Sequence, residues 1–466
     1  MNARYQVAVV GSGSAGKDAA LLAGRAGLRT VVIEAGSLGG TGLHRGCDAV
    51  RALRACATQY DWLTRSNRLS LHLAMVGTEW ASWLNVQRRT SARLTEGLSR
   101  ELDRAKIEVK FGRAALLDAH ELLVTEPQGA TERIWAEHII LAPGSRPAYP
   151  GREDLRVLNT DQILRNAYLP QHLLVIGGGY VGCELAAIHR ALRARVTLAE
   201  ARPQLLHNWD EDAGLHLRRV LETDGVEVLL NETVQPPGPE VSERPHFKLT
   251  NGTVITPDLT LVATGRLPNV EGLGLETVGL PAGGYIPVDE RMRTALPSVF
   301  AVGDVTGLGM LDSVAAAQAR VAVQTIMGVP ARFDLHWIPR CLHTQPPVAA
   351  AGWTQAEAAA AGLDVEVLSH TLRLVTDEDA TVVEPETTKL KLVVQSGTAR
   401  LLGCLAIGPR AAEIVNLAST AIRHGLTARQ VADLSLVHPS ASEALVRVLQ
   451  ARYDRVHQPG TNYEED

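Results

Sequence analysis

Aromatic residues are scarce, at 4% of 466 positions, so Leu, Val, Ile and Ala must fill the core. Long apolar runs are missing too: none approaches the ~18 residues needed to cross a bilayer. The start, Met1-Asn-Ala-Arg-Tyr, leads straight into an apolar strand. It lacks the basic region, apolar stretch and cleavage site of a signal peptide, so a soluble cytoplasmic protein with no membrane span is expected. There is no excess of positive charge. A net charge of −5 argues against nucleic acid as a partner, because phosphate binding needs a basic surface. Cysteine is also sparse: Cys47, Cys56, Cys183, Cys341 and Cys404 are widely spaced and form no C-x-x-C pair. That excludes the usual zinc knuckle and disulfide framework, and no metal is expected.

Glycine, by contrast, is abundant, with 41 copies. Residues Gln6 to Val10 read as a buried parallel strand. Gly11-Ser12-Gly13-Ser14-Ala15-Gly16 follows, then an Ala/Leu-rich helical pattern, then a strand from Thr30 to Ile33 ending in Glu34. This is G-x-G-x-x-G in the context its chemistry needs. Gly11 allows the turn, Gly13 admits a pyrophosphate to the backbone, and Gly16 lets helix and strand pack closely. The helix N-terminus offers its free N–H groups to the phosphate. Glu34, eighteen residues after Gly16, stands where a carboxylate grips a ribose hydroxyl.

The pattern then repeats. A strand beginning at Leu173 leads into Gly177-Gly178-Gly179-Tyr180-Val181-Gly182, a helix, a strand from Arg195 to Leu198, and Glu200, again eighteen residues after the last glycine. One such motif is weak evidence, but two with matching flanks point to two dinucleotide sites. Glu200 would repel a 2′-phosphate, which favours NADH over NADPH, with Arg202 close by. The chain has room for three or four domains.

Further motifs give the chain a resemblance to the flavoprotein disulfide reductases: dihydrolipoamide dehydrogenase, glutathione reductase, mercuric reductase and their relatives. Gly39-Gly40-Thr41 resembles the flavin-side loop. Ala142-Pro143-Gly144-Ser145-Arg146-Pro147 and Ala263-Thr264-Gly265-Arg266-Leu267-Pro268-Asn269 are similar to the family's two A-T-G motifs. Ala301-Val302-Gly303-Asp304-Val305 resembles the second FAD fingerprint, and His438-Pro439-Ser440-Ala441-Ser442-Glu443 the C-terminal histidine–glutamate dyad.

The resemblance implies an α/β fold with two Rossmann-like FAD/NAD(P)-binding domains and an α+β C-terminal dimerisation domain. Residues 1–149 with 270–337 would bind FAD, 150–269 would bind NAD, and 338–466 would form the homodimer interface and send His438 to the partner's site. It places Gly11, Gly13, Ser14, Ala15, Gly16, Glu34, Gly40, Thr41, Gly46, Gly144, Gly303 and Asp304 on FAD. It places Gly177, Gly179, Tyr180, Val181, Gly182, Glu200 and Gly265 on the nicotinamide nucleotide. The tail, Tyr463-Glu464-Glu465-Asp466, lacks the cysteine pair of a mercuric reductase and reads as a disordered acidic end.

The match fails where the family's chemistry begins. The redox pair Cys-x-x-x-x-Cys here reads Gly42-Leu43-His44-Arg45-Gly46-Cys47. The interchange thiol is Gly42, and the flavin-side thiol is retained as Cys47. The following proline and lysine are Ala49 and Arg51. One thiol cannot close an intramolecular disulfide, and Cys56 lies too far along the expected helix to replace the other. Arg51 facing Glu184 would keep a positive charge that, unlike lysine's, cannot lose its proton.

Cys47, at a helix N-terminus near Arg45 or Arg51, is expected to favour thiolate, unless it is a packed relic. His44 and Arg45 either add polarity to the substrate side or face water. Cys183, Cys341 and Cys404 read as small core residues. Cys47, Arg51, Glu184, His438 and Glu443 are the catalytic candidates. Three functions remain open. An NADH:acceptor flavoenzyme would use a quinone, a small oxidant or a second nicotinamide. A single-cysteine enzyme would reduce a peroxide, persulfide or small disulfide at Cys47. A partner-binding flavoprotein would not turn over.

Overall fold

The computed structural model describes residues 4–64, 79–153, 156–235, 245–373 and 387–457; the acidic tail lies outside them. Two compact units form, Met1–Gln59 with Gly77–Pro170 and Leu259–Leu335, and Tyr60–Val76 with Gln171–Asp258 and His336–Asp466.

In the first unit the apolar run after Tyr5 forms the strand Arg4–Val10. It lies between Thr30–Glu34 and Thr131–Leu141, parallel to both, and Val299–Ala301 adds to Thr131–Leu141 in the same sense. Glu108–Phe111 extends the sheet beyond Thr30–Glu34, and Glu121–Thr125 and Arg113–Leu116 run antiparallel on the other side. Register fixes the function of this sheet. Val10 pairs with Ile33 and with Leu141, and Leu141 with Ala301. The segments that follow, at Gly11, Glu34, Pro143 and Gly303, therefore all emerge at one carboxyl edge, where open α/β sheets bind ligands.

Alternation along the central strand splits the core. Val7 and Val9 pack with Ala19, Ala20 and Ala23 of the helix Ser14–Arg25 and with Ala315, Ala319 and Ala322 of the helix Asp312–Ile326. Ala8 and Val10 pack on the opposite face with Leu122, Ile134 and Leu275. Small alanines on both helices let them approach closely, so a core with few aromatics still fills its space.

The second unit repeats the theme. His172–Ile176, Arg195–Glu200 and Val226–Leu230 run parallel, with the helix Tyr180–Ala191 after the first strand. Its C-terminal part is an antiparallel sheet in the order Arg340–Leu342, Val348–Gly352, Leu401–Ile407, Thr387–Gln395, Val365–Arg373. The helices Ala411–Arg423 and Glu443–His457 bury Ile414, Val415, Leu445 and Val448 with this sheet's Leu390, Leu392 and Ala406. Within this unit Lys391 Nζ lies 3.0 Å from Asp210 and 3.1 Å from Asp212, and Lys389 Nζ lies 2.8 Å from Asp212. Among the described residues no helix is long and apolar enough to cross a membrane.

Candidate functional site

The two glycine turns are built alike. Gly11 has φ +97° and Gly177 φ +110°, a region that L side chains rarely enter. A Cβ on Gly16 would sit 1.9 Å from the Gly11 carbonyl oxygen, and one on Gly182 would sit 1.9 Å from that of Gly177. These glycines are needed for packing, whereas a Cβ on Gly13 or Gly179 would meet no protein atom within 4 Å. That open space borders the helix N-termini at Ser14 and Tyr180, whose N-caps donate no side-chain bond. Ser14, Ala15 and Gly16 in one turn, and Tyr180, Val181 and Gly182 in the other, thus present first-turn N–H groups beside open space, the arrangement by which helix N-termini take phosphate.

Each strand-end carboxylate braces its own turn. Glu34 Oε2 accepts from the Ser12 N–H at 2.8 Å and its hydroxyl at 2.5 Å, while Oε1 accepts from Gly36 N–H at 2.7 Å. Glu200 Oε2 accepts from Gly178 N–H at 2.6 Å and Oε1 from Arg202 N–H at 2.9 Å. A carboxylate has about four lone-pair sites, so acceptor capacity is left for a ribose.

The three family-like motifs of the first unit are wired together. Ser145 Oγ donates to Asp304 Oδ2 at 2.5 Å and accepts from Arg266 Nε at 2.7 Å. Asn269 Nδ2 donates to the Pro143 carbonyl at 2.9 Å, and its N–H to that of Gly144 at 3.0 Å. Pro143 is accommodated because this position serves as a carbonyl acceptor. Gly265 precedes Arg266 at φ +125°. Gly303, at φ +80°, lies so close to the first helix that a Cβ would meet that of Ala15 at 2.9 Å. Asp161, which no motif contains, lies 3.2 Å from Arg45 Nε and 3.5 Å from Arg266 Nη1. It was missed because its partners are more than a hundred residues away and leave no local pattern.

The flavin-side segment expected as a loop is partly helical: Gly40–Arg45 forms a short helix, and Cys47–Thr64 a longer one. A Cβ on Gly40 would lie 2.8 Å from the Gly13 Cα, so this segment is pressed against the first glycine turn. Thr41 follows, and Gly46 joins the two helices. His44 and Arg45 are both partly buried and both have partners. His44 Nε2 bonds the Leu38 carbonyl at 2.9 Å, and Arg45 is drawn to Asp161.

Cys47 is the first residue of its helix and is exposed. Cys56 lies on the same helix, about 14 Å along its axis at ~1.5 Å per residue. A Cβ on Gly42 would stand 2.9 Å from Ser14 Oγ. Arg51 is exposed on the Cys47 helix.

In the second unit Tyr180 packs edge-on to Trp209 at 5.4 Å, and burial pushes its hydroxyl up to about 12. Glu184, one turn further along, accepts from the His343 N–H at 2.8 Å. Cys183 and Cys404 are buried core thiols, as expected; Cys341 is half-buried at the edge of the C-terminal core, beside His343. His438 Nδ1 faces the Glu443 carboxylate at 3.1 and 3.2 Å. The Ser440 N–H and then His438 hold the Glu443 carboxyl below the usual range, so it stays ionised and orients the imidazole. The His438 side chain is 73% exposed, presenting the ring outward.

Comparison with known proteins agrees with this construction. Residues 5–324 match the pyridine nucleotide-disulphide oxidoreductase family model, and residues 338–449 match its dimerisation domain. The chain is 31% identical over 468 residues to dihydrolipoyl dehydrogenase of Chlorobaculum tepidum, covering 98% of each. It is 30% identical over 456 residues to glutathione reductase of Burkholderia cepacia, covering 96% of this chain and 99% of the other. Among solved structures, LpdA of Mycobacterium tuberculosis superposes with a TM-score of 0.87 at 25% identity, covering 96% of this chain and 99% of that one. The HOCl-induced flavoprotein disulfide reductase RclA of Escherichia coli, as its Cu(II) complex, gives 0.82 at 26%, covering 97% and 100%. The chain belongs to the pyridine nucleotide-disulphide oxidoreductases, a family of pyridine nucleotide-dependent FAD enzymes.

Proposed function

We propose that this protein oxidises NADH through FAD and passes the electrons to an acceptor that needs no intramolecular disulfide: a quinone, a small organic oxidant or a second nicotinamide. The observation that carries this reading is Gly42. It occupies the interchange-thiol position, and the next thiol after Cys47 lies nine residues along the same helix. The cofactor supplies the hydride chemistry when bound; the protein binds, orients and tunes it. Gly11, Gly13, Ser14, Ala15, Gly16, Glu34, Gly40, Thr41, Gly46, Gly144, Gly303 and Asp304 hold FAD. Gly177, Gly179, Tyr180, Val181, Gly182, Glu200 and Gly265 hold the nicotinamide nucleotide, with Tyr180 gating it. Glu200 favours NADH, because a carboxylate at the strand end repels a 2′-phosphate. Arg51, on the Cys47 helix, supplies a positive charge on the flavin side that cannot lose its proton, and Glu184 serves the nicotinamide side. The chain acts as a homodimer, and each exposed His438, held by Glu443, serves as an acid–base group for its partner's site.

Steady-state turnover of the FAD-loaded enzyme tests this. Benzoquinone is expected to be reduced at least about a hundredfold faster than lipoamide or oxidised glutathione, an ordinary cost for losing a nucleophile. Rapid disulfide reduction that vanishes in Cys47→Ser would overturn the reading. It would favour a second one, supported by the exposure of Cys47 at its helix N-terminus: a single thiol cycling through a sulfenate or mixed disulfide.

A further inference from the structure

The edge strand Arg340–Leu342 points successive side chains to opposite faces. His343 follows this strand directly, and Cys341 Sγ lies 3.6 Å from His343 Nδ1. The thiol is half-buried and the imidazole exposed. Their separation has a chemical meaning. Bonds of ~2.3 Å to sulfur and ~2.0–2.1 Å to nitrogen at a tetrahedral angle set the two ligand atoms about 3.6 Å apart. A thiol-to-imidazole hydrogen bond has the same span. A metal can thus bridge the two atoms at the separation they already have, in place of the thiol's contacts to His343 and the Leu342 carbonyl.

The surroundings suit a cation. The His343 N–H donates to Glu184, bringing that carboxylate to the segment. Tyr180 stands one turn before Glu184 on the same helix. Arg340, on the opposite strand face, lies 4.8 Å over the Trp209 ring. Among the described residues no third His, Cys, Asp or Glu joins the pair. The chain would supply two ligands and solvent the rest, which makes an exchangeable site rather than a closed structural one.

We propose that Cys341 and His343 form a bidentate site for a zinc-class divalent cation, whose occupancy slows the nicotinamide half-reaction at Tyr180 and Glu184. Binding forms one metal–sulfur and one metal–nitrogen bond, the thiol proton leaves to solvent, and no electron moves. The first half of the proposal stands on the pair alone. The second rests on the assignment of Tyr180 and Glu184 to the nicotinamide side.

The test is calorimetric titration of the FAD-loaded protein with zinc chloride, without nucleotide. One zinc per chain is expected in the wild type and in Cys47→Ser, with proton release seen as a dependence on buffer ionisation heat. Affinity should fall by at least ~10–100-fold in Cys341→Ser and in His343→Ala, since losing even a supporting group costs a metal site that much. An unchanged flavin spectrum in these variants shows that the fold is kept. Undiminished binding in Cys341→Ser, or loss only in Cys47→Ser, overturns the site. Stopped-flow flavin reduction by NADH should then slow with zinc in the wild type and not in Cys341→Ser. Zinc bound with no slowing overturns the second half. Failure of NADH to reduce the flavin even without zinc sinks the nicotinamide assignment, and the second half with it, while the metal site stands.

Discussion

The two glycine turns share one construction and differ in what closes over them. In both, a Cβ added to the last glycine would lie 1.9 Å from the carbonyl oxygen of the first, and a strand-end carboxylate takes the N–H of the second residue. Around the first turn the chain folds back on itself. Gly40 presses on Gly13, the Gly39 N–H donates to Ser12 Oγ at 3.1 Å, and Gly303 abuts Ala15. The second turn is flanked by Tyr180 against Trp209, by Leu206, whose N–H donates to the Gly178 carbonyl at 3.0 Å, and by Val181 at 39% exposure. The proposed function assigns a retained ligand to the first turn and an exchanging one to the second. The difference lies in long-range neighbours, not in the motif.

The largest expected effect comes from breaking each turn in the same way. Gly16→Ala forces a Cβ into a backbone oxygen that cannot move cheaply, so the protein should lose FAD and fail to accumulate folded. Gly182→Ala meets the same clash, yet the purified protein should stay yellow while NADH no longer reduces it. Loss of FAD from both variants equally would erase the distinction between a retained and an exchanging site.

Specificity should follow. Glu200→Arg removes the like-charge repulsion and is expected to shift the NADPH/NADH ratio of kcat/KM by ~10–100-fold, the scale of a few kcal/mol. Glu34→Arg should leave that ratio alone and instead weaken FAD retention. Equal effects on the ratio would break the assignment of the two turns.

Smaller effects come from the carboxylate that bridges two cations in each unit. Asp161→Asn weakens contacts to Arg45 and Arg266 and should cost about 1–3 kcal/mol, read as a lower midpoint in thermal unfolding. Asp212, with Lys389 and Lys391, should show itself through pH. Burial opposes its charged form, but hydrogen bonds from both lysines outweigh burial and hold its carboxyl below the usual range. Its contribution is therefore full above the unfolded value of ~3.9 and lost as pH falls through the lower folded one. Lys391 is also opposed by burial, yet Asp210 and Asp212 raise it. Its contribution holds below ~10.4 and fades as pH rises through the higher folded value. Asp212→Asn should flatten the acid edge of the melting profile; an unchanged edge removes this pair from the account.

Much of this was readable in the sequence, because the first tier of the fold is local. A strand, a glycine turn, a helix and a strand-end acid lie within about thirty residues, and their periodicity is visible in the chain. Glu34 and Glu200 occupy the predicted strand ends, although each braces its turn's backbone as well, which spacing does not reveal. Contacts that join distant segments left no such trace. Asp161 reaches Arg45 and Arg266, Ser145 reaches Asp304, and His44 turns inward to Leu38. Cys341 was read as core because it follows an apolar pattern. Only the folded chain shows its Sγ beside His343 Nδ1.

The most direct test of the central claim is an anaerobic titration of the purified protein with NADH, followed by visible absorbance. Full flavin bleaching at one equivalent, with no long-wavelength band, is the predicted result and makes FAD the sole redox centre. A requirement for about two equivalents, or a charge-transfer band that disappears in Cys47→Ser, would contradict it and put the thiol in the electron path.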